Sequence, residues 1–175
     1  MTFEQARNAI VSGLEEHIGH QVNLSEQIAD VPEYPYCYYS VLAPRISKHS
    51  FGLREVLDTG DGHKLMRSEP VMATVSFTFC SMNRADGDGY ILGEDEALTL
   101  AEQAYGFFLL NAHNIPTEFG DVVINDVGTV ANRTGFLVED SVRRYGFDVK
   151  FAYVRTDEMQ TETILRANPS GKAKS

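Results

Sequence analysis

The residues best placed to do chemistry in this chain are Asp148 and Lys150, separated only by Val149. Residues two apart on a β-strand share a face, so this spacing sets a carboxylate beside an ammonium. With Asp121 or Asp126 on a preceding strand as a second carboxylate, the set would suit a metal-dependent nuclease. Such an enzyme needs two convergent carboxylates for divalent ions and a cation for the phosphate charge. The competing reading is plainer: exposed alternate positions of a long amphipathic strand favour charge, and Asp-x-Lys arises there without function. The plainer reading outweighs the catalytic one. Asp86-Gly-Asp88-Gly begins like a calcium loop, but Tyr90 stands where a third oxygen ligand belongs, Ile91 where glycine is needed and Ala97 where glutamate is needed. It reads as a surface turn. His17, His20, His49, His63 and His113 are dispersed; His17 and His20, three apart at a helix end, would serve a metal only with further ligands. Cys37 and Cys80 sit in apolar, strand-like runs and read as buried, reduced thiols. A GxSxG elbow, a Walker loop and a GxGxxG–helix unit are all missing from the sequence. No metal and no cofactor is expected.

The elements that would carry these residues are legible from periodicity. Thr2 and Gln5 form a capping-box pattern ahead of Phe3, Ala6, Ile10, Leu14 and Ile18, an apolar stripe at spacings of three and four. This predicts a helix over 2–18, weakened by Gly13 and stopped by Gly19. Gln21–Leu24 is a short strand candidate. Pro32 and Pro35 break the chain before a strand over Tyr36–Leu42, which Pro44 is expected to end. Residues 45–69 lose the pattern and read as a long loop or an extended hairpin tip. Val71, Ala73, Val75, Phe77 and Phe79 alternate with Met72, Thr74, Ser76, Thr78 and Cys80, a strand with one face on the core. Residues 81–93 read as a second loop, with Asp86 and Asp88 as candidate subunit contacts.

Glu94-Asp95-Glu96 then open a second helix to about Ala112, with acids at its positive end. Its apolar face is read as Ala97, Leu98, Ala101, Ala104, Tyr105, Phe108 and Leu109. A strand over 121–130 and a long strand over 143–155 follow; in the latter Tyr145, Phe147, Val149, Phe151 and Tyr153 alternate with charged residues. The order of elements predicts an α+β fold: a mainly antiparallel sheet with two principal helices packed on one face. Residues 1–166 are read as a single domain and 167–175 as a flexible polar tail.

Composition narrows the class. An apolar content of 43% with 23% charged residues is that of a folded globular chain. No stretch reaches the ~18 to 20 apolar residues of a membrane helix, and the polar start Met-Thr-Phe-Glu-Gln is no secretory signal. Synthesis in a cytoplasm and no membrane partner are expected. The formal charge of −10 disfavours a protein that grips phosphates.

The C-terminal third carries a resemblance. Asn132-Arg133, Phe136-Leu137-Val138-Glu139 and Arg143-Arg144-Tyr145-Gly146-Phe147-Asp148-Val149 are similar to the closing pattern of the phage neck (tail) terminator family. Phe3-Glu4-Gln5 through Leu14, Tyr34-Pro35-Tyr36, and Glu94 to Tyr105 resemble its opening and second helix. The likeness spans roughly Phe3 to Val154, without the 45–69 and 81–92 segments. It implies a structural virion protein with no enzymatic activity: a small α+β subunit that forms a ring, usually of six copies. The ring would cap the tail tube, touch the head connector or adaptor proteins and the tube protein, with the sheath as a further neighbour, and let genomic DNA pass without specific binding. An acidic lumen would suit that passage, although acidity serves solubility equally well. The resemblance marks Asn132, Arg133, Arg144, Tyr145, Phe147 and Asp148 as structural motif positions. Another phage assembly or interaction module, and the nuclease with Asp148 and Lys150, stand as alternatives.

Overall fold

In the computed structural model, residues 1–25, 32–46, 51–58, 62–135 and 141–161 are described. Helix α1 runs Phe3–Ile18 and begins where the capping box places it: Gln5 N–H donates to Thr2 Oγ1 and Thr2 N–H to Gln5 Oε1. It stops at Gly19 and buries Ala6, Ile10, Leu14 and Ile18, the predicted stripe. Gly13 is not a mere weakness. A Cβ there would lie 3.1 Å from the Phe107 ring, so glycine lets the second helix approach.

The strands are β1 (Val22–Leu24), β2 (Tyr36–Ile46), β3 (Leu53–Asp58), β4 (His63–Met82), β5 (Arg84–Asp86) and β6 (Gly89–Ile91). Helix α2 (Gly93–Leu110) follows, then β7 (Ile115–Thr117), β8 (Gly120–Val127), β9 (Ala131–Asn132) and β10 (Val142–Thr161). The main sheet is ordered β1-β2-β4-β10-β8-β7, with β3 also on β4 and β9 also on β10. Among the described residues only β1 and β2 pair in parallel; the other pairs are antiparallel. The fold is α+β. At its centre β4 and β10, 20 residues each, pair from Val142–Met82 to Thr161–His63.

One face of that pair is apolar. Val71, Ala73, Val75, Phe77 and Phe79 of β4 and Phe147, Val149, Phe151 and Tyr153 of β10 are buried against α1 and α2. Phe108 is enclosed by Phe77, Phe107 and Phe147, with ring centroids 5.2 to 5.8 Å away. The face of α2 differs in phase from the sequence reading. Leu100 and Phe107 are buried and Leu109 is exposed, because a helix with apolar residues on most sides carries little phase information.

Three boundaries are corrected. Pro44 does not end β2, which continues to Ile46; register shifts between Val41, Ala43 and Ile46 let the strand skip pairing where proline has no N–H to give. Of the two readings of the segment 45–69, the extended hairpin holds and the loop does not: the segment carries β3 and the first part of β4, paired antiparallel, with residues 47–50 and 59–61 outside the description. The segment 81–93 is not a loop either. It holds the hairpin β5–β6, whose Asp86–Gly89 closure places Gly87 at φ 56° and exposes Asp86 and Asp88. The motif stretch Phe136–Glu139 and the polar tail 167–175 lie outside the described residues.

Candidate functional site

The motif residues of the C-terminal third divide between the two faces of β10: Arg144 and Asp148 lie on the face opposite the helices, which the Arg133 side chain also reaches, and Tyr145 and Phe147 lie on the helix-covered face. After β8, Gly128 N–H donates to Asp148 O at 2.8 Å, and Ala131 and Asn132 pair with Gly146 and Tyr145. Arg133 N–H donates to Arg144 O at 2.8 Å, and Arg144 N–H to Thr134 Oγ1 at 3.0 Å. The chain is thereby laid along β10, and the Arg133 side chain crosses β10 at Gly146. A Cβ on Gly146 would sit 2.9 Å from Arg133 Nη1 and 2.3 Å from Phe77 O, so glycine is required by this crossing.

Beyond Gly146 the guanidinium reaches β4. Its Nη1 donates to Ser76 Oγ at 2.6 Å, Thr78 Oγ1 at 2.9 Å and Phe77 O at 3.2 Å, and its Nη2 to Asp148 Oδ1 at 2.8 Å. Ser76 Oγ donates to the same Asp148 oxygen at 2.6 Å. Thr78 is buried, although its side chain faces away from the helices. Tyr145 links the other way: its hydroxyl accepts from Asn132 Nδ2 at 3.4 Å and donates to Glu94 Oε1, in the first turn of α2, at 3.0 Å. That bond to Glu94 holds the phenol above its ordinary pKa. Phe147 points to the core and meets Phe79, Tyr105 and Phe108. Arg144 stands in a row with Cys80 and Tyr36.

Two further polar clusters join elements. Arg84 grips Glu96 with both terminal nitrogens, at 2.7 and 2.8 Å, and Ser81 donates to the same carboxylate. Together with the bond from Gly93 N–H to Asn83 Oδ1 (2.8 Å), this fixes the base of the β5–β6 hairpin to the start of α2. Arg84 first, and Ser81 after it, hold the Glu96 carboxyl below the usual glutamate range. At the rim of the core, Glu69 is buried between Arg45 and Arg67; Arg67 also reaches Asp157 at 3.1 Å, and Asp157 meets Arg155 at 2.8 Å. The second cluster was not legible from spacing, because its bonded partners Arg67 and Asp157 lie 90 residues apart in the chain; the first joins residues at most 15 apart, across a hairpin that the sequence reading took for a loop.

The structure brings together part of the nuclease constellation: Asp126 lies opposite Lys150, on the same face as Asp148, whereas Asp121 lies opposite Pro116 at the far end of β8. Asp148 Oδ1 is taken by Arg133 and Ser76, so the set is held as an ion-paired surface. Among the described residues no three His, Cys, Asp or Glu side chains converge as metal ligands. His17 packs against the Phe107 ring at 5.4 Å. Cys37 and Cys80 are buried, and burial pushes the Cys37 thiol well up. An open cleft of about 400 Å³ lies between His20, Pro35 and the first turns of α2, lined by Asp95, Glu96 and Leu100 but by no nucleophile with a base.

What these clusters have in common is that each ties one element to another and closes on itself, the economy of a structural subunit. The chain matches the family model for the phage neck terminator protein over residues 8–174, and it belongs to that family. The family is a structural one of the phage neck, which implies a place in the virion neck or tail and contact with other phage head and tail proteins. The comparison with curated proteins finds no match.

Proposed function

We propose that this chain is the subunit of a homo-oligomeric ring, a hexamer, that caps the tail tube and joins it to the head connector. The observation that carries the reading is the family match over nearly the whole chain. The residues agree with it: polar groups on the open sheet face are spent on internal bonds, and hairpins project beyond the helix-covered core. Residues 1–166 act as one folded unit in this reading, made in the host cytoplasm. The ring touches connector or adaptor proteins on one side and the tube protein, with any sheath, on the other. Genomic DNA passes through without specific binding, in keeping with the −10 formal charge. Asn132, Arg133, Arg144, Tyr145, Phe147 and Asp148 serve as structural motif positions and no residue as a catalyst. Asp86 and Asp88, exposed on a firmly anchored hairpin, are placed to meet a neighbour.

Electron microscopy of particles made with a defective copy, with and without added purified protein, tests the proposal. Tails of unregulated length or tails without heads, corrected by the added protein, are expected. Normal joined particles without the protein would refute it, as would metal-dependent DNA cleavage by the pure chain that Asp148→Asn abolishes.

A further inference from the structure

Beyond the helix-covered core, β3 (53–58), the first part of β4 (63–69) and the last part of β10 (155–161) form a three-stranded arm. Every residue of β3 is exposed, including Leu53, Val56 and Leu57, and so is Met159 on β10. Both flanks of the arm are open among the described residues. β3 pairs only with β4, and β10 has no strand partner beyond Tyr153 on the side where β8 ends; the Met1 amino group donates to Val154 O there at 3.2 Å, and the edge from Arg155 on is open. Such edges invite another strand, and a small sheet with both faces bare gains little stability alone.

We infer that the arm is a subunit contact, in which the open edge of β10 of one copy pairs in parallel with the open edge of β3 of the next. This rests on the ring reading above and names the surface that would close it. The direction follows from the fold: β3 and β10 are each antiparallel to β4, so they run the same way. A rotation about an axis beside the arm therefore sets β10 against β3 of the following copy and repeats head to tail. A closed ring satisfies both edges of every copy at once, whereas a foreign strand would satisfy one and leave the other bare.

Side-chain chemistry selects the register. On the face continuous with the core, β3 carries Arg54, Val56 and Asp58, and β10 carries Arg155, Asp157 and Met159. Setting Arg54 beside Asp157 brings Val56 beside Met159. The row Val56–Leu65–Met159 within one arm then continues into the next as an unbroken apolar belt. A slip of two residues puts Arg54 against Arg155 and Val56 against Asp157 in one direction, and Arg54 against Met159 and Val56 against Thr161 in the other. Either breaks the apolar belt, and a slip of one turns each side chain to the wrong face. On the other face this register brings Glu55 near Glu158, a repulsion that Lys64, 2.6 Å from Glu158, offsets.

Cysteine cross-linking tests the contact. Val56 and Met159 are exposed, so Val56→Cys and Met159→Cys should leave the fold intact. The native cysteines are buried. Within one arm the two positions are separated by β4, about 9 to 10 Å, too far for a disulfide. Mild oxidation of the double variant, purified and in assembled particles, is expected to give a covalent ladder on a non-reducing gel, ending at the ring number. Neither single variant should give it. In parallel, Val56→Lys should raise the concentration needed for assembly about tenfold or more with an unchanged melting temperature. Rings seen by mass photometry without a ladder would overturn this contact and leave the ring reading standing. A covalent dimer from Val56→Cys alone would show two-fold pairing of β3 and overturn the head-to-tail contact. A chain that stays monomeric at every concentration, gives no ladder in particles and forms no ring in their necks by electron microscopy would overturn both.

Discussion

Replacing Arg133 with alanine is expected to destabilise the subunit by about 2 to 3 kcal/mol, although the residue is neither apolar nor part of the core. The ion pair contributes little: the Asp148 side chain is 48% exposed, and a pair this open gains well under ~1 kcal/mol. The larger loss is at Thr78, only 4% exposed, whose hydroxyl would give up the guanidinium and face a void over Gly146. A buried hydroxyl left without its partner costs about 1 to 3 kcal/mol, and the lost charge-assisted bonds to Ser76 and Phe77 O add to it. For a domain of this size the sum lowers Tm by roughly 5 to 10 °C. Gly146→Ala should cost about 1 to 3 kcal/mol by overpacking against the same guanidinium and Phe77 O. Part of that clash disappears with the arginine, so the double variant should fall short of the summed costs by about 0.5 kcal/mol or more. Thermal and urea denaturation of the four proteins gives the cycle. An Arg133→Ala protein melting within about 1 °C of the parent, or fully additive costs, would refute the reasoning.

Phe108→Ala, which empties a site ringed by Phe77, Phe107 and Phe147, should cost about 3 to 5 kcal/mol. Asp88→Ala, on the exposed turn of the β5–β6 hairpin, should change stability by less than about 0.5 kcal/mol, and equal melts for the two would contradict their placement. Acid should weaken the fold through Glu96, whose folded pKa lies below its ordinary 4.5 because of Arg84 and then Ser81. A depressed carboxylate stabilises above its unfolded pKa, and that stability is lost as pH falls through the folded value. Asp157, held down by Arg155, acts in the same sense. Urea midpoints from about pH 6 to about pH 3 should therefore fall less steeply in Glu96→Gln than in the parent; identical slopes would remove Glu96 from the account.

Much of this architecture is written in short-range pattern. The capping box at Thr2 and Gln5 marked the start of α1, and strict alternation marked the core halves of β4 and β10. The outer halves of the same strands escaped notice for a physical reason. Residues 63–69 and 156–160 extend beyond the helices, so burial no longer divides their two faces and alternation fades. Pro44 was misleading because bulges excuse a proline from pairing, which spacing does not reveal. At the motif, the run Arg-Tyr-Gly-Phe-Asp could be recognised but its mechanics could not. Arg133 reaches Ser76, 57 residues back in the chain, and only the fold brings the two together.

The order of strands also has a consequence for how the subunit comes into being. The last strand described, β10, is an inner strand of the sheet, with β4 on one side and β8 and β9 on the other. Its partners in β4 were made 60 to 98 residues earlier. Until β10 has left the ribosome, β4 lacks one neighbour, β8 has only β7, and β9 has no strand to join. Pairings this distant in sequence form slowly. The nascent chain therefore holds Val71, Ala73, Val75, Phe77 and Phe79 without their β10 partners, 66 to 82 residues further on, a window in which chaperone occupancy or low expression temperature should govern the yield of native protein.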